Sequence, residues 1–307
     1  MSTIVLVHGI AQEQRSADAL EAEWIPALSG GVRNAGFPEL ADGLWRNQRP
    51  GDIEIRMAFY GDKFLREGSQ GAGSIDGLDL ESEIVDELAV EWLENARDST
   101  NVRDAGNAAM ELASLAATGE AQGVMRAATL AANGLDRIPW MTRSGLAVAG
   151  RMNRAISQVG AYLSDGALRA EILSRMESVV REETKVVIAH SLGSVAAYEF
   201  LRDHSVRIPL FITLGSPLGL QGIRKRLLSE PKFPAVGNWI NLADRDDVVA
   251  ARPHLQRFFD VDRPADAIFG STFTVDNGAS AHDACFYLSK RPVCAPVAKE
   301  LRRSHSS

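Results

Sequence analysis

The chain has 307 residues, of which 45% are hydrophobic and 24% are charged, values of an ordinary globular protein that exclude a disordered or collagen-like chain. The formal net charge of −7 argues against nucleic-acid binding, which needs a surplus of Lys and Arg to replace counterions.

The first part of the chain predicts two strands and then a long helical segment. Residues 3–7 are a continuous β-branched run, typical of a strand buried on both faces, and residues 53–60 predict a second strand between turn-forming residues. No strand pattern occurs between residues 63 and 183, which we call the helical segment. After a Gly- and Ser-rich loop at 68–77, it predicts helices at 83–96, 105–132, 146–163 and 168–180.

Strands and helices alternate after the helical segment. The predicted strands are 185–189, 209–214, 238–243 and 269–275, and the predicted helices are 192–203 and 296–303. This alternation predicts an α/β fold, a mostly parallel sheet with helices on both faces. We therefore expect a core formed by residues 1–62 and 184–307, into which residues 63–183 are inserted as a helical cap or lid before the strand at 185–189.

Targeting and cofactor signals are not apparent. No window approaches the ~20 apolar residues of a membrane helix, and the first apolar run is too short for a signal peptide, so we expect a cytoplasmic protein without stable membrane insertion. The sequence contains no glycine-rich nucleotide-binding motif. Cys285 and Cys294 are too few for a disulfide framework and have no His at metal-ligand spacing. We therefore predict no cofactor and no metal.

One strand-to-helix segment carries the strongest functional signal. An apolar strand runs into Ala189-His190-Ser191-Leu192-Gly193, and a helix with small residues follows. Small-x-Ser-x-Gly between a strand and a helix is typical of a nucleophile elbow, because bulky neighbours would make the strand and helix collide. We therefore predict that Ser191 is a nucleophile rather than the serine of an ordinary turn.

The loop after the first strand is predicted to supply part of an oxyanion hole. His8-Gly9 follows that strand directly, and a glycine permits close approach of the backbone to a substrate. We expect the backbone N–H groups of Ile10 and Leu192 to be the two donors, the latter at the positive end of the helix dipole. His8 is expected to hold the loop.

His282 is the predicted general base. In the chain order Ser, acid, His, the base follows the acid, which eliminates the first three of the six histidines. His305 lies in a polar tail and His254 lies close behind the candidate acids. His282 follows the last strand after a short loop at 277–281, a position from which a base can reach the nucleophile.

Three aspartates at the end of the strand 238–243 are candidates for the acid. Asp247 precedes the apolar pair Val248-Val249 and is preferred, whereas Asp244 and Asp246 remain alternatives. The acid has to accept a hydrogen bond from imidazole Nδ1–H to fix the tautomer and orientation of the ring. The aspartates not used in this way are expected to pair with Arg245 or to cap a helix.

Together these motifs resemble those of the α/β-hydrolase superfamily and, more narrowly, of bacterial serine hydrolases of the lipase/esterase type. The resemblance covers the strand-bearing half of the chain, whereas the helical segment matches no lid that we can name. The spacing from Trp239 to Asp247 in this family pattern favours Asp247 over Asp246. The matching motifs are Val5-Leu6-Val7-His8-Gly9-Ile10, Ala189-His190-Ser191-Leu192-Gly193, Leu214-Gly215-Ser216-Pro217-Leu218-Gly219, Trp239-x-Asn241-x-x-Asp244-x-x-Asp247-x-Val249-Ala250 and Ser280-Ala281-His282.

The expected function is hydrolysis of a small-molecule carboxylic ester through a Ser191-His282-Asp247 triad and an acyl-enzyme. A lipophilic acyl group is favoured because the helical segment carries apolar and Met side chains, unless this face packs on the sheet. The same triad also serves acyltransferases, cyclases and amidases, and a non-catalytic ligand-binding protein is the alternative of another class. The oligomeric state is not predicted. The apolar and Met side chains of the helical segment that favour a lipophilic acyl group are Met110, Leu112, Leu115, Val124, Met125, Leu130, Trp140 and Met141.

Overall fold

Six parallel strands form one sheet in the computed structural model, which describes residues 3–46, 53–65, 83–98, 102–122 and 151–305. The strand order is β2-β1-β3-β4-β5-β6, and each neighbouring pair is parallel. The α/β fold predicted from the sequence is confirmed. The strands are β1 (Thr3–Val7), β2 (Glu54–Ala58), β3 (Thr184–His190), β4 (Ile208–Leu214), β5 (Val236–Asp244) and β6 (Ile268–Val275).

Helices lie on both faces of the sheet, and short 3₁₀ turns occur at Gly61–Phe64, Pro217–Gly219 and Gly278–Ser280. In the described parts of the chain, the residues between β2 and β3 form helices and turns but no strand. The helices are α1 (Ala17–Asn34), α2 (Pro38–Leu44), α3 (Glu83–Arg97), α4 (Val102–Gln122), α5 (Arg151–Ser164), α6 (Gly166–Glu177), α7 (Leu192–Arg202), α8 (Gln221–Arg224), α9 (Gln256–Phe259), α10 (Ala284–Leu288) and α11 (Arg291–His305).

The sheet separates two hydrophobic cores because successive strand residues point to opposite faces. Ile4 and Leu6 of β1 pack in one core with residues of α1, α2, α10 and α11. Val5 and Val7 pack in the other core with residues of α3, α4, α5, α6 and α7. The described helices of the helical segment therefore form part of one layer of the fold and share a core with the sheet.

Several helices differ from the sequence-based expectation, which included none of α1, α2, α8, α9 and α10. The sequence patterns reveal neither α1 nor α2, because Pro26 interrupts the apolar spacing of α1, yet the helix continues through it and buries one face. The last helix was predicted from residue 296 but begins at Arg291. Pro292 fits the first turn of a helix, and the buried side chains of Val293 and Val297 hold the helix across Pro296. The loop 68–77, residues 123–132 of the second predicted helix and residues 146–150 of the third lie outside the described residues.

All strands end at the same edge of the sheet, and the chain changes direction there. The crossover from β1 leads outward to β2, and the chain then returns to β3 on the opposite side of β1. The carboxyl ends of β1 and β3 therefore flank a topological switch point, which is where open α/β sheets form their ligand-binding crevice. Gly9 follows β1 and Ser191 follows β3 at this edge.

Gly193 allows α7 to pass close to the end of β1. A Cβ atom added there would lie 2.2 Å from the carbonyl oxygen of His8 and 2.8 Å from that of Val7, too close for any real contact. We expect Gly193→Ala to lower the free energy of unfolding by about 1–3 kcal/mol or more, because the backbone has to move apart.

Gly106→Ala is the matched control, because an added Cβ in this exposed part of α4 meets no atom within 4 Å. It is expected to raise the free energy of unfolding by about 0.5–1 kcal/mol through helix propensity. Urea unfolding of both variants measures the difference, and equal effects of the two substitutions would contradict the close approach of α7 and β1.

Candidate active site

Ser191 forms the sharp turn between β3 and α7. Its φ of 53° and ψ of −131° are unusual for a residue other than glycine and are strained. Neighbouring groups hold this conformation: the Ser191 N–H donates to the Leu214 carbonyl at 3.0 Å, and the Ser191 carbonyl accepts from the Ser194 N–H and hydroxyl. The strained turn between strand and helix is the local geometry that a nucleophile elbow requires.

The side chains of Ser191, His282 and Asp247 form a continuous hydrogen-bonded chain. His282 Nε2 lies 3.0 Å from Ser191 Oγ, and His282 Nδ1 lies 2.8 Å from Asp247 Oδ2. Because an ionised carboxylate only accepts hydrogen bonds, it holds the imidazole proton on Nδ1. Nε2 is then left as the acceptor for the serine hydroxyl. The structure thus brings together the three side chains predicted from the sequence, all of them buried.

Asp247 is surrounded by donors. Its Oδ1 accepts from the backbone N–H groups of Val249 at 3.1 Å and Ala250 at 3.3 Å, and its Oδ2 accepts from the Tyr287 hydroxyl at 2.7 Å. Its side chain is fully buried, so these bonds replace the water that a carboxylate would otherwise need. Gly215 makes room for the pair, because a Cβ there would lie 2.6 Å from Asp247 Oδ2.

The two alternative acids have other positions. Asp244, the last residue of β5, accepts hydrogen bonds from the N–H groups of Asp246 and Asn277. Burial raises the pKa of the Asp244 carboxyl. Asp244 thus ties the end of β5 to the loop that leads to His282. Asp246 is half-buried and lies in the turn after β5. The carboxylate that pairs with His282 is that of the next residue, Asp247.

The remaining histidines have other partners. His204 Nδ1 lies against the backbone of Val206, His254 packs against the Phe273 ring, and His305 ends α11. His190 lies beside His282, the predicted base, and its Nε2 donates to the His282 carbonyl oxygen at 2.8 Å. Burial and the neighbouring His282 lower the pKa of His190 well below its ordinary value, so its ring is neutral.

His8 anchors the loop that follows β1. Its Nε2 accepts from the Tyr60 N–H at 3.0 Å, which leaves the proton on Nδ1 to donate to the Gly9 carbonyl at 2.6 Å. The Tyr60 hydroxyl in turn donates to the His8 carbonyl. His8 therefore makes the contacts of a residue that holds the loop.

The predicted oxyanion donors flank Ser191. A Cβ added to Gly9 would lie 2.7 Å from Ser191 Cβ, so only glycine allows the loop backbone to come this close. Ile10 follows directly and lines the same cavity as Ser191. Leu192 is the first residue of α7, and its N–H is one of those that have no acceptor within a helix.

A cavity of about 200 Å³ opens beside Ser191. Its wall is mixed, because the apolar side chains of Leu20 and Trp24 line it together with the ion-paired Arg15 and Glu23. Cys285 also lines it, and burial raises the pKa of this thiol to about 11. The lining residues are Gly9, Ile10, Gln12, Arg15, Leu20, Glu23, Trp24, His190, Ser191, His282, Asp283, Ala284 and Cys285.

The apolar residues expected to contact an acyl group divide into two sets. Met110 on α4 is 64% exposed, whereas Leu115 is buried in the core and Leu112 packs against it. The side chains that the structure describes thus include two that pack in the fold rather than line the cavity. The others lie outside the described residues: Val124, Met125, Leu130, Trp140 and Met141.

Tyr287 is a site residue that sequence analysis missed. It lies on α10, five residues after His282, and its hydroxyl accepts from the Asp244 N–H at 2.6 Å while donating to Asp247. Its only signal in the sequence is a position shortly after the predicted base. A tyrosine in a short helix has many other uses, so that signal did not identify it.

Comparison of the chain with protein-family models, with curated proteins and with solved structures found no match. Among the described residues, no three His, Cys, Asp or Glu side chains are arranged to hold a metal ion. Within the same ranges, no helix has the length and apolar character needed to cross a membrane. The functional inference therefore depends on the geometry around Ser191.

The buried His8 predicts a loss of stability in acid. Burial lowers its pKa from 6.5 to about 4, so below pH 6.5 the unfolded chain binds a proton that the folded chain does not. The free energy of unfolding is therefore expected to fall as the pH decreases from 6.5 towards 4, with His8 contributing about 2 kcal/mol between pH 7 and pH 5.

Urea unfolding at both pH values, on wild type and on His8→Gln, measures this contribution. Gln keeps an acceptor for the Tyr60 N–H but does not titrate, so the variant should lose less stability than wild type over this interval. An equal decrease in both proteins would show that His8 does not titrate in this way.

Proposed function

We propose that the chain is a serine hydrolase of carboxylic esters and a member of the α/β-hydrolase superfamily. The observation that carries the proposal is the chain of contacts from Ser191 Oγ to His282 and Asp247, starting at a strained turn between β3 and α7. The order of these residues along the chain is that of α/β-hydrolases. Their place at the switch point of a parallel sheet also supports it.

In the proposed reaction, Ser191 Oγ attacks the ester carbonyl while its proton passes to His282 Nε2. The Oγ–C bond forms, and the negative charge on the former carbonyl oxygen is held by the Ile10 and Leu192 N–H groups. Asp247 stabilises the imidazolium, which then gives its proton to the departing alcohol as the ester C–O bond breaks. Water then attacks the acyl carbon while its proton passes to His282. The C–Oγ bond breaks, the imidazolium returns the proton to Ser191 Oγ, and the carboxylic acid is released.

The described helices of the helical segment have contacts that favour a structural role for them. They bury side chains in the core beneath the sheet, and α3 donates from Trp92 and Asn95 to the carbonyl oxygens of Val249 and Val248, directly after Asp247. A mobile lid and a preference for lipophilic acyl groups remain predictions for this segment.

Ser191→Ala should abolish ester hydrolysis, because no other group in the proposed mechanism can form the acyl-enzyme. We expect kcat/KM to fall by about 10⁴-fold or more on a p-nitrophenyl ester panel from acetate to palmitate. A fluorophosphonate should label wild type but not the variant. Full hydrolysis by a folded Ser191→Ala protein would refute the nucleophile.

The chain-length profile in the same panel reports on the acyl site, and an optimum at medium or long chains is expected. Added amines or alcohols separate hydrolysis from acyl transfer, because a transferase would release the ester or amide of the added nucleophile in place of the free acid.

Asp247→Asn should lower kcat by about 10⁴-fold, because an amide can present its NH₂ to Nδ1 and so favour the wrong imidazole tautomer. Asp246→Asn is the matched control, since Asp246 is the neighbouring acid, whereas the two carboxylate oxygens beside His282 Nδ1 are those of Asp247. It is expected to keep kcat close to the wild-type value. Steady-state kinetics on a single ester distinguishes the two variants. An inactive Asp246→Asn variant beside an active Asp247→Asn variant would show that Asp246, not Asp247, is the acid.

A further inference from the structure

Gln158 makes the most specific contact between the helical segment and the candidate site. It lies on α5, its side chain is fully buried, and both ends of its amide are used. Its Oε1 accepts from the Ala11 N–H at 2.8 Å, and its Nε2 donates to Glu13 Oε2 at 3.0 Å. The residues that it joins are 147 and 145 positions away in the sequence.

The loop that Gln158 holds is the one that carries Ile10. Residues 8–13 have no regular secondary structure, and Ala11 has a φ of 59°, a left-handed conformation uncommon for any residue other than glycine. A backbone of this kind keeps its shape only where other groups impose it. His8 and Tyr60 fix the start of the loop, and Gln158 fixes its second half.

The hydrogen bond to Gln158 also fixes the direction of one backbone N–H in this loop. Ile10 and Ala11 carry neighbouring N–H groups, and the bond to Gln158 occupies the second of them. The Ala11 N–H therefore points away from the reaction, towards α5. Ile10, the residue before Ala11, lines the same cavity as Ser191.

We propose that Gln158 is a positioning residue, which holds the loop 9–13 so that the Ile10 N–H meets the oxyanion formed on the substrate. This inference rests on the proposed hydrolase function and adds a role for α5. Preorganised donors stabilise a transition state only where their direction is fixed before the reaction. Here the fixing group comes from the helical segment rather than from the strand–loop unit that bears the donor.

The direct test removes both hydrogen bonds with a side chain of similar length, Gln158→Met. We expect kcat for a p-nitrophenyl ester to fall by about 10²-fold with little change in KM, because the donor acts on the transition state rather than on the bound ester. Gln256→Met is the matched control. It removes a glutamine hydrogen bond to the Phe269 carbonyl at β6, outside the cavity, and should leave kcat unchanged.

A rescue experiment separates positioning from a merely structural role. Gln158→Glu places two carboxylates together and should impair kcat, whereas the double variant Gln158→Glu/Glu13→Gln exchanges donor and acceptor. In the double variant the new carboxylate still accepts from the Ala11 N–H and also accepts from the new amide at position 13. Its kcat should recover to within about tenfold of wild type, since residue 158 can again hydrogen-bond both to the Ala11 N–H and to residue 13.

Inhibition by an alkyl trifluoromethyl ketone supplies a second readout, because its adduct with Ser191 carries an oxyanion. The inhibition constant should rise across the variants in proportion to the loss of kcat/KM, as expected for a group that acts on the transition state. Thermal unfolding of each variant shows that the protein tested is folded. If Gln158→Met does not fold, the comparison of Gln158→Glu with the double variant decides the question.

The outcomes distinguish this inference from the function on which it rests. A wild type that neither hydrolyses esters nor reacts with a fluorophosphonate refutes both. An active wild type, an inactive Ser191→Ala and folded Gln158 variants with normal kcat and normal ketone inhibition refute the role of Gln158 alone. A double variant no more active than Gln158→Glu refutes it as well.

Discussion

The fully buried carboxylate of Asp247 is the group on which the rest of the site depends. A buried anion without partners is costly, and removing its partners would leave that cost uncompensated. The fold therefore supplies two backbone N–H groups, the Tyr287 hydroxyl and the imidazole of His282 to this one side chain. The hydrogen bond between the carboxylate and the imidazole also orients the ring of His282, so the burial of the carboxylate and the position of the imidazole are linked.

Two loops at the site take their shape from helices far away in the sequence. The loop after Asp247 is held at its Val248 and Val249 carbonyls by α3, and the loop after β1 is held by Gln158 of α5. Neither loop has a strand or a helix of its own to define it. The helical segment thus acts on both sides of Ser191, and its described part belongs to the architecture of the site as well as to the core.

The sequence predicts well what local patterns encode. The six strands carry apolar β-branched runs between turn residues, and the turn at Ser191 carries small neighbours on both sides, so both were predictable. The helix α1 was missed because Pro26 interrupts a pattern that is otherwise regular, with Leu20, Trp24 and Leu28 on its buried face. Tertiary packing of that face outweighs the local cost of the proline.

Long-range contacts account for the rest of what the sequence did not predict. Tyr287 and Gln158 are ordinary residues in ordinary helices, and nothing near them in the chain indicates that one touches Asp247 and the other touches Ala11. The choice of Asp247 over Asp246 rested on the apolar pair that follows Asp247 and on the spacing from Trp239. In the structure, the pairing depends on which carboxylate the turn after β5 brings to His282, in the loop before α10. No local sequence pattern contains this relation between two segments.

The parts of the candidate site are held by different kinds of contact. The strand–turn–helix at Ser191 forms from neighbouring residues and stores strain locally. The groups that have to meet it, Ile10 and the Asp247–His282 pair, depend on contacts with α3, α5 and α10. Electrostatic stabilisation of a transition state requires donors whose directions are fixed in advance, and the donor of a flexible loop would first have to be ordered. Leu192 and Val195 of α7, the helix that follows Ser191, pack in the same core as α3 and α5. The helices are therefore as much a part of the proposed catalytic machinery as the sheet on which they pack.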